Sequence, residues 1–472
     1  MKQVPAFVPE IRKECFVTMK KLLSLLLSLC LLGSLTLPAL AAGEDQAGPI
    51  PVWSYDQLAD AYALGLCGDE IYTDHGQTVT MERIDALCAA VSGKLALLDQ
   101  PVREAEDETL VLDTTRGGVV NALYQAVAAW EFPGVELGAV ECLTGLGVLQ
   151  GDGADLRLDR PCTVLEAVVM ANRLVLKLYD GNNAGSLGML WKATSGENTL
   201  YLLGTIHMDR DNVYPFHKQL RDILTSVELA AFELDFGDTA GMAEFAAMQV
   251  YSDGTTLKDH VSQELYDDVV ATLEPLGMPE DMTAQYKAWA LANTFQSLSM
   301  MDESSGDTLM AVDMYCYAKA ANMGVKTAGV ETYAFQGSLF DNLSAEYQED
   351  YLASCLTLFQ GEEAELTEEE QAAIQESLTL METWMTNWKE RDIAAFEATY
   401  DKESSAASAD ELESQLFAER DPNMTAWAAR YLDQEGSHTG ILIVGAGHMV
   451  GETGIVQSLK DQGYTVELVP VP

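Results

Sequence analysis

Residues 52–178 carry amphipathic stretches that close at glycine and reopen at threonine. The stretch "YDQLADAYALGLCGDE" ends one helical pattern, and "TVTMERIDALCAAVSGKL" starts the next. The later run "LGAVECLTGLGVLQGDGADLRLDRPCTVLEAVVMANRLV" repeats the logic. In each copy a helix ends, a turn follows, and a threonine (Thr80, Thr163) stands where an N-cap is needed. The segment "TTRGGVVNALYQAVAAW" reads as the tail of an intervening copy. The pattern predicts a small all-helical repeat domain. Residues 179–188, "YDGNNAGSLG", then read as a linker.

Beyond the linker the pattern changes. "GMLWKA" and "NTLYLLG" predict a hairpin, "YPFHKQLRDILTS" a helix and "ELAAFELDF" a strand. Helices fill 239–322, with a break near "LEPLGMPED". "GVKTAGVET" is a strand, more helices fill 344–433, and "TGILIVGAG", "GETGIVQSLKDQG" and "YTVELVPV" form a closing strand–helix–strand unit. Strands separated by helices predict an α/β domain over residues 189–472, with a sheet flanked by helices. The acidic run "GEEAELTEEEQ" reads as a solvated helix start.

The N-terminus reads as a signal peptide over residues 1–42. Met19-Lys20-Lys21 precedes an apolar stretch at 22–37, followed by a small-residue cleavage site near Ala39-Leu40-Ala41. Residues 1–18 do not fit a signal, which makes Met19 a candidate start. The apolar stretch is short for a membrane span, which needs about 20 residues, and no later stretch is long and apolar enough. The expected location is secreted or cell-envelope associated, with no transmembrane span after signal removal. Composition agrees. The formal charge of −47 argues against nucleic acid and anionic lipid as partners, and 48% hydrophobic residues argue for a globular chain. Export would permit disulfides among the six cysteines beyond the signal, but no CxxC pair is present, so a zinc knuckle is not expected.

Two strand ends share a motif. "LYLLGTIHM" and "ILIVGAGHM" each run from an apolar strand into Gly-x-x-His-Met, placing His207 and His448, two of the chain's six histidines, in matched local positions. In open α/β sheets, sites form beyond the carboxyl ends of strands. Glycine allows a tight turn there, and two imidazoles brought together make a metal site. Glu233 and Glu331 also follow apolar runs. Two His and one Glu form a ligand set for a hydrolytic centre, and a second Glu suits a general base. His75, His217, His260 and His438 read as surface residues.

On these residues, segment 186–472 resembles the TraB/GumN family, whose animal relatives include the Tiki metalloproteases. The matching pieces are "LWKATSGENTLYLLGTIHM", "FELDF", "AVDMYCYAKAANMGVKTAGVETYAFQ", "NWKERDIAAFE", "FAERDPNMTAWAARYL" and "GILIVGAGHMVGETGIVQSLKDQGYTVELV", in family order. The resemblance implies a sheet built from two related halves, His207 and His448 as metal ligands, Glu233 and Glu331 as ligand or acid/base, and Arg420 as electrostatic stabiliser. The implied cofactor is a divalent ion, Mn, Co or Zn. The implied substrate is a peptide or protein. Ala311 departs from the family's usual glycine, while Asp313 is kept. The helical region resembles S-layer homology modules, which bind cell-wall polysaccharide. Its signature is degraded to "TMER", "TTRG" and "TVLE", so wall binding and a helical spacer stand side by side.

Three other readings compete. Gly445-x-Gly447-x-x-x-Gly451 after a strand, with Glu467 about 20 residues on, imitates a dinucleotide fingerprint. Against it, no second mononucleotide half is expected in the few residues that follow, and an exported protein rarely meets NAD. Arg420 and Asp421 could be a surface ion pair at a helix end, worth little. The domain could also bind a metal or peptide without cleaving it, as a non-catalytic cell-envelope protein.

Overall fold

The computed structural model describes residues 49–471, apart from 104–109, 136–137, 152–154, 207–212, 300–310, 362–367, 401 and 403–409. The expected signal peptide, His207 and part of the acidic run 361–371 therefore lie outside the described residues.

Three helices of the N-terminal region begin the same way. Thr80, Thr115 and Thr163 precede the helices Met81–Ala96, Arg116–Ala128 and Val164–Gly181, and each hydroxyl accepts from the third helical N–H. At Thr163 the Glu166 carboxylate answers back to the cap N–H, completing a capping box. The caps are tied together in space. Val79 N donates to Cys162 O, and Cys162 N donates to Thr114 O, at 2.9 Å each. The first helix packs against the other two. The repeat pattern of the sequence is thus three helix starts zipped to one another.

The expected linker is only partly one. The last helix runs to Gly181. The following stretch packs tightly, with Ser186 O accepting from His217 N at 2.8 Å. Gly185 has φ +100°, and a Cβ there would come within 2.8 Å of Pro215 O. The helical region is also bolted directly to the α/β domain. Lys319 Nζ lies 2.6 Å from Asp60 Oδ2, and Tyr315 donates to Asp60 Oδ1 at 2.7 Å. All three side chains are buried.

The α/β domain is built on one sheet of β1 (Met189–Ser195), β2 (Asn198–Thr205), β3 (Leu229–Phe232), β4 (Lys326–Gly329), β5 (Thr439–Gly445) and β6 (Thr465–Leu468), in the order β4-β3-β5-β2-β1-β6. β1 and β2 form the expected hairpin, with Gly196 at φ +57° in its turn. β4, β3, β5 and β2 run parallel. Long helical crossovers make this pairing feasible and cover the sheet. β5 lies inside and is buried over Gly440–Gly445, which explains its unbroken apolar run. Parallel pairing brings the carboxyl ends of four strands to one edge. Among them, β2 and β5 are neighbours with Thr205 opposite Gly445. Gly204 and Gly445, which open the two Gly-x-x-His motifs, therefore stand on neighbouring strands at this edge.

Two expectations about histidines are overturned. His217 is 4% exposed, because its Nδ1 caps the helix Lys218–Ser226 through Gln219 N at 3.1 Å and its other nitrogen meets Asn183 Oδ1 at 3.1 Å. His75 is buried too, where Leu165 N donates to its carbonyl. Hydrogen bonds to both ring nitrogens make the burial of His217 tolerable, whereas the His75 Nδ1 is buried with no hydrogen-bond partner among the described residues. The cysteines Cys67, Cys88, Cys142, Cys162, Cys316 and Cys355 are free thiols, all but Cys88 buried. Burial pushes the Cys162 thiol up to about 12, which keeps it unreactive. Among the described residues no helix is long and apolar enough to cross a membrane.

Lys319→Ala would leave the buried Asp60 carboxylate without its counter-charge. The expected cost is about 3–5 kcal/mol, read as a fall in the urea midpoint of the full chain.

Candidate functional site

The parallel edge continues past β4. Val330 N donates to Phe232 O at 2.8 Å and Glu331 N to Glu233 O at 2.9 Å, so the two glutamates emerge next to each other. Gly329 permits the approach, since a Cβ there would fall 2.7 Å from Asp235 N. Arg420, in the first turn of the helix Arg420–Leu432, enters between the carboxylates and is fully buried. Its Nη2 lies 2.5 Å from Glu233 Oε2 and 2.9 Å from Glu331 Oε2, and its Nε lies 2.9 Å from Glu331 Oε1. Gln336 Nε2 adds bonds of 2.9 Å to Glu331 and 3.3 Å to Glu233. Burial works against the guanidinium charge, but the two carboxylates outweigh it and raise the Arg420 pKa above its ordinary value.

Glu233 turns its other oxygen, Oε1, toward β5, where Gly445 N donates to it at 2.8 Å. His448 follows in the short helical turn Ala446–Met449 and is fully buried. Gly447 lets that turn lie against Tyr400, whose hydroxyl would be 2.6 Å from an added Cβ. Gly204 does the same for the neighbouring strand, since its Cβ would stand 3.0 Å from Ala446 Cα. Gly204, which opens the first motif, and Gly447, inside the second, thus permit a close approach around the two strand ends. His448 Nδ1 lies 2.6 Å from Asp421 Oδ1, its Nε2 lies 3.9 Å from Glu233 Oε1, and Phe417 stands edge-on to the ring at 5.4 Å. Lys402 Nζ is 2.5 Å from Asp421 Oδ2, an ion pair in which that oxygen accepts no well-directed hydrogen bond.

Several observations bear on a metal here. A separation of 3.9 Å is too long for a hydrogen bond. Two donors that share one tetrahedral ion through bonds of about 2.0–2.2 Å stand roughly 3.3–3.6 Å apart, so the pair is wider than a closed site by a few tenths of an ångström. A carboxylate on the far nitrogen is the usual companion of a metal-binding imidazole. Three carboxylates (Glu233, Glu331, Asp421) face two cations (Arg420, Lys402), so the cluster is anionic when His448 is neutral. At the end of β2, the buried Thr205 hydroxyl has no hydrogen-bond partner among the described residues. Glu233 and His448 fit as two donors. No set of three or more His, Cys, Asp or Glu among the described residues is arranged to hold a metal. The third expected donor, His207, follows Thr205 by two positions and lies outside them.

The structure therefore brings together Glu233, Glu331, Arg420 and His448 from positions far apart in the chain. Arg420 and Asp421 are not a surface ion pair, since each is buried and each has a different partner. Sequence reasoning missed Asp421, Gln336 and Lys402 as site residues. The dinucleotide reading fails on geometry. The Gly445 N–H is used by Glu233, Gly447 is packed on Tyr400, and Glu467 sits on β6 opposite Lys192, at the far side of β1.

Arg420→Ala is expected to destabilise by about 3–5 kcal/mol, because two buried carboxylates lose their cation. A surface pair would lose less than about 1 kcal/mol. Arg420→Lys should recover part of the loss, since an ammonium lacks the planar fork. Chemical denaturation of the three proteins checks both statements.

Comparison with known proteins bears on the family. The family model described as TraB/PrgY/gumN family matches residues 189–468, the whole six-stranded unit. Metalloprotease TIKI1 of Danio rerio is 23% identical over 308 residues, covering 57% of this chain and 61% of the relative. The chain thus spans less than two thirds of that curated relative. No solved structure matches. With more than half its length matched by one family model, the chain belongs to the TraB/PrgY/gumN family.

Proposed function

We propose that the protein is an exported metal-dependent hydrolase that cleaves peptide bonds, secreted or held at the cell envelope. The observation that carries the reading is His448. Its Nδ1 is held by Asp421 while Nε2 lies 3.9 Å from the Glu233 carboxylate, at the ends of adjacent parallel strands. His207 would join from the end of β2, the other neighbour of β5. A divalent ion bound there would polarise a carbonyl and activate water. Imidazole and carboxylate donors suit Mn, Co and Zn alike. Arg420 supplies a fixed positive charge that needs no reorganisation during reaction. Both glutamates accept at each oxygen, but Glu331 accepts from Arg420 and Gln336, whereas Glu233 also turns Oε1 toward Gly445 and His448. In this reading Glu331 holds Arg420, and Glu233 is the carboxylate turned toward the reacting groups. The relative named as a metalloprotease supports a peptide or protein substrate.

A second reading, a non-catalytic binding protein of the cell envelope, is favoured by a feature of the helical region. A cavity of about 540 Å³ there is lined by Arg116, Arg157, Arg160 and Arg173, by Asp155 and Glu166, the latter paired with Arg116 and Arg160, and by the exposed Trp53. Cationic side chains gathered in a chain of net charge −47 suit an acidic wall polysaccharide, with Trp53 available to stack on a sugar face.

Metal content of the purified full chain should be near stoichiometric and should drop in the His207→Ala, His448→Ala double variant. Equal content in the two proteins would remove the metal site. A peptide-library digest with Mn²⁺, Co²⁺ or Zn²⁺ should give cleavage, and its failure with every ion would leave only the binding reading. For the helical region, Arg173→Glu should lower affinity for purified cell walls in a sedimentation assay about tenfold, the order of one charged contact, and Trp53→Ala should lower it as well through loss of its apolar ring surface.

A further inference from the structure

We infer that Asp421, steered by Lys402, is a positioning residue that decides which nitrogen of His448 carries the proton. The inference deepens the metal-hydrolase reading and rests on it for its functional consequence. Its structural content stands on geometry alone.

Lys402, Asp421 and His448 are each at most 1% exposed. A carboxylate can only accept, so the 2.6 Å contact of Asp421 Oδ1 with His448 Nδ1 requires a proton on Nδ1. In a neutral ring the lone pair then lies on Nε2, the nitrogen facing Glu233. That is the form able to ligate a cation. Lys402 secures the arrangement from three sides. It pairs with Asp421 Oδ2 at 2.5 Å, donates to Val450 O at 3.1 Å just beyond His448, and stands 5.0 Å over the Phe417 ring that flanks the imidazole.

The two ends of the Asp421 carboxylate thus face unlike neighbours, an ammonium and an imidazole N–H. This makes an amide of the same shape a sharp probe. In Asp421→Asn one end becomes NH2. Beside the Lys402 ammonium the oxygen is favoured and the NH2 is repelled. The NH2 group is therefore turned onto His448 Nδ1, which must now accept, and the ring proton moves to Nε2. Removing the ammonium as well lets the amide turn over and restores its oxygen to Nδ1.

The test is nitrogen NMR of the full chain labelled in histidine, metal-free and at mildly alkaline pH, with the His448 signals assigned by their loss in His448→Gln. Wild type should show the Nδ1–H form. Asp421→Asn should show the Nε2–H form, with metal affinity lowered about ten- to a hundredfold. Asp421→Asn combined with Lys402→Met should return most of the signal to Nδ1–H and recover part of the affinity. A purely structural role predicts the opposite for the double variant, which has lost more contacts. Wild type with the proton on Nε2, or on both nitrogens, would overturn the assignment to Asp421. So would a spectrum unchanged in Asp421→Asn. A double variant that matches the single one would overturn the part given to Lys402. If wild type binds none of Mn²⁺, Co²⁺ and Zn²⁺, the hydrolase reading falls, and the spectra still judge Asp421.

Discussion

A full positive charge with no access to water is the constraint on which the α/β domain turns. Arg420 is completely buried, so its desolvation has to be offset by anions held at fixed places. Glu233 at the end of β3 and Glu331 just past β4 supply them, and Gln336 bonds to both. The same Glu233 accepts from Gly445 at the end of β5. One guanidinium therefore ties together a helix start and three strand ends. A slip of any one of them would leave a buried charge unmatched.

The glycines around this cluster follow from the same crowding. Gly204, Gly329 and Gly447 each sit where a Cβ would meet backbone or a tyrosine hydroxyl at 3.0 Å or less. None of the three has a positive φ, so close approach rather than backbone freedom explains them. The helical region is part of this rigid arrangement. Its Asp60 is buried against Lys319 and Tyr315, and Tyr315 packs on Tyr214 and Phe216. Phe216 in turn meets Trp388, whose indole donates to Gly204 O at 2.7 Å. A line of contacts thus runs from the helical repeats to the strand that leads into the first Gly-x-x-His motif.

Much of the fold was legible because it is locally encoded. Amphipathic stretches with threonine caps marked the helices, and unbroken apolar runs marked the buried strands β2 and β5. Carboxylates and histidines that follow such runs fall at one edge whenever the strands are parallel, so Glu233, Glu331 and His448 could be singled out before any coordinates. Burial of His75 and His217 was not legible. His217 is inside because its ring nitrogens find Gln219 N and Asn183 Oδ1, partners chosen by the packing of distant segments.

The sequence by itself determined the strands, the duplicated motif and the types of chemistry at their ends, because period, glycine placement and residue type are local properties. Strand order, and with it the partners, was decided only in three dimensions. Arg420 meets Glu233 across 187 positions of chain, and Asp421 meets His448 across 27. In sequence Arg420 and Asp421 look like a pair. In the folded protein, successive residues of a helix point about 100° apart. One therefore reaches the glutamates and the other the imidazole, and only the packing of their helix on the sheet edge settles which goes where.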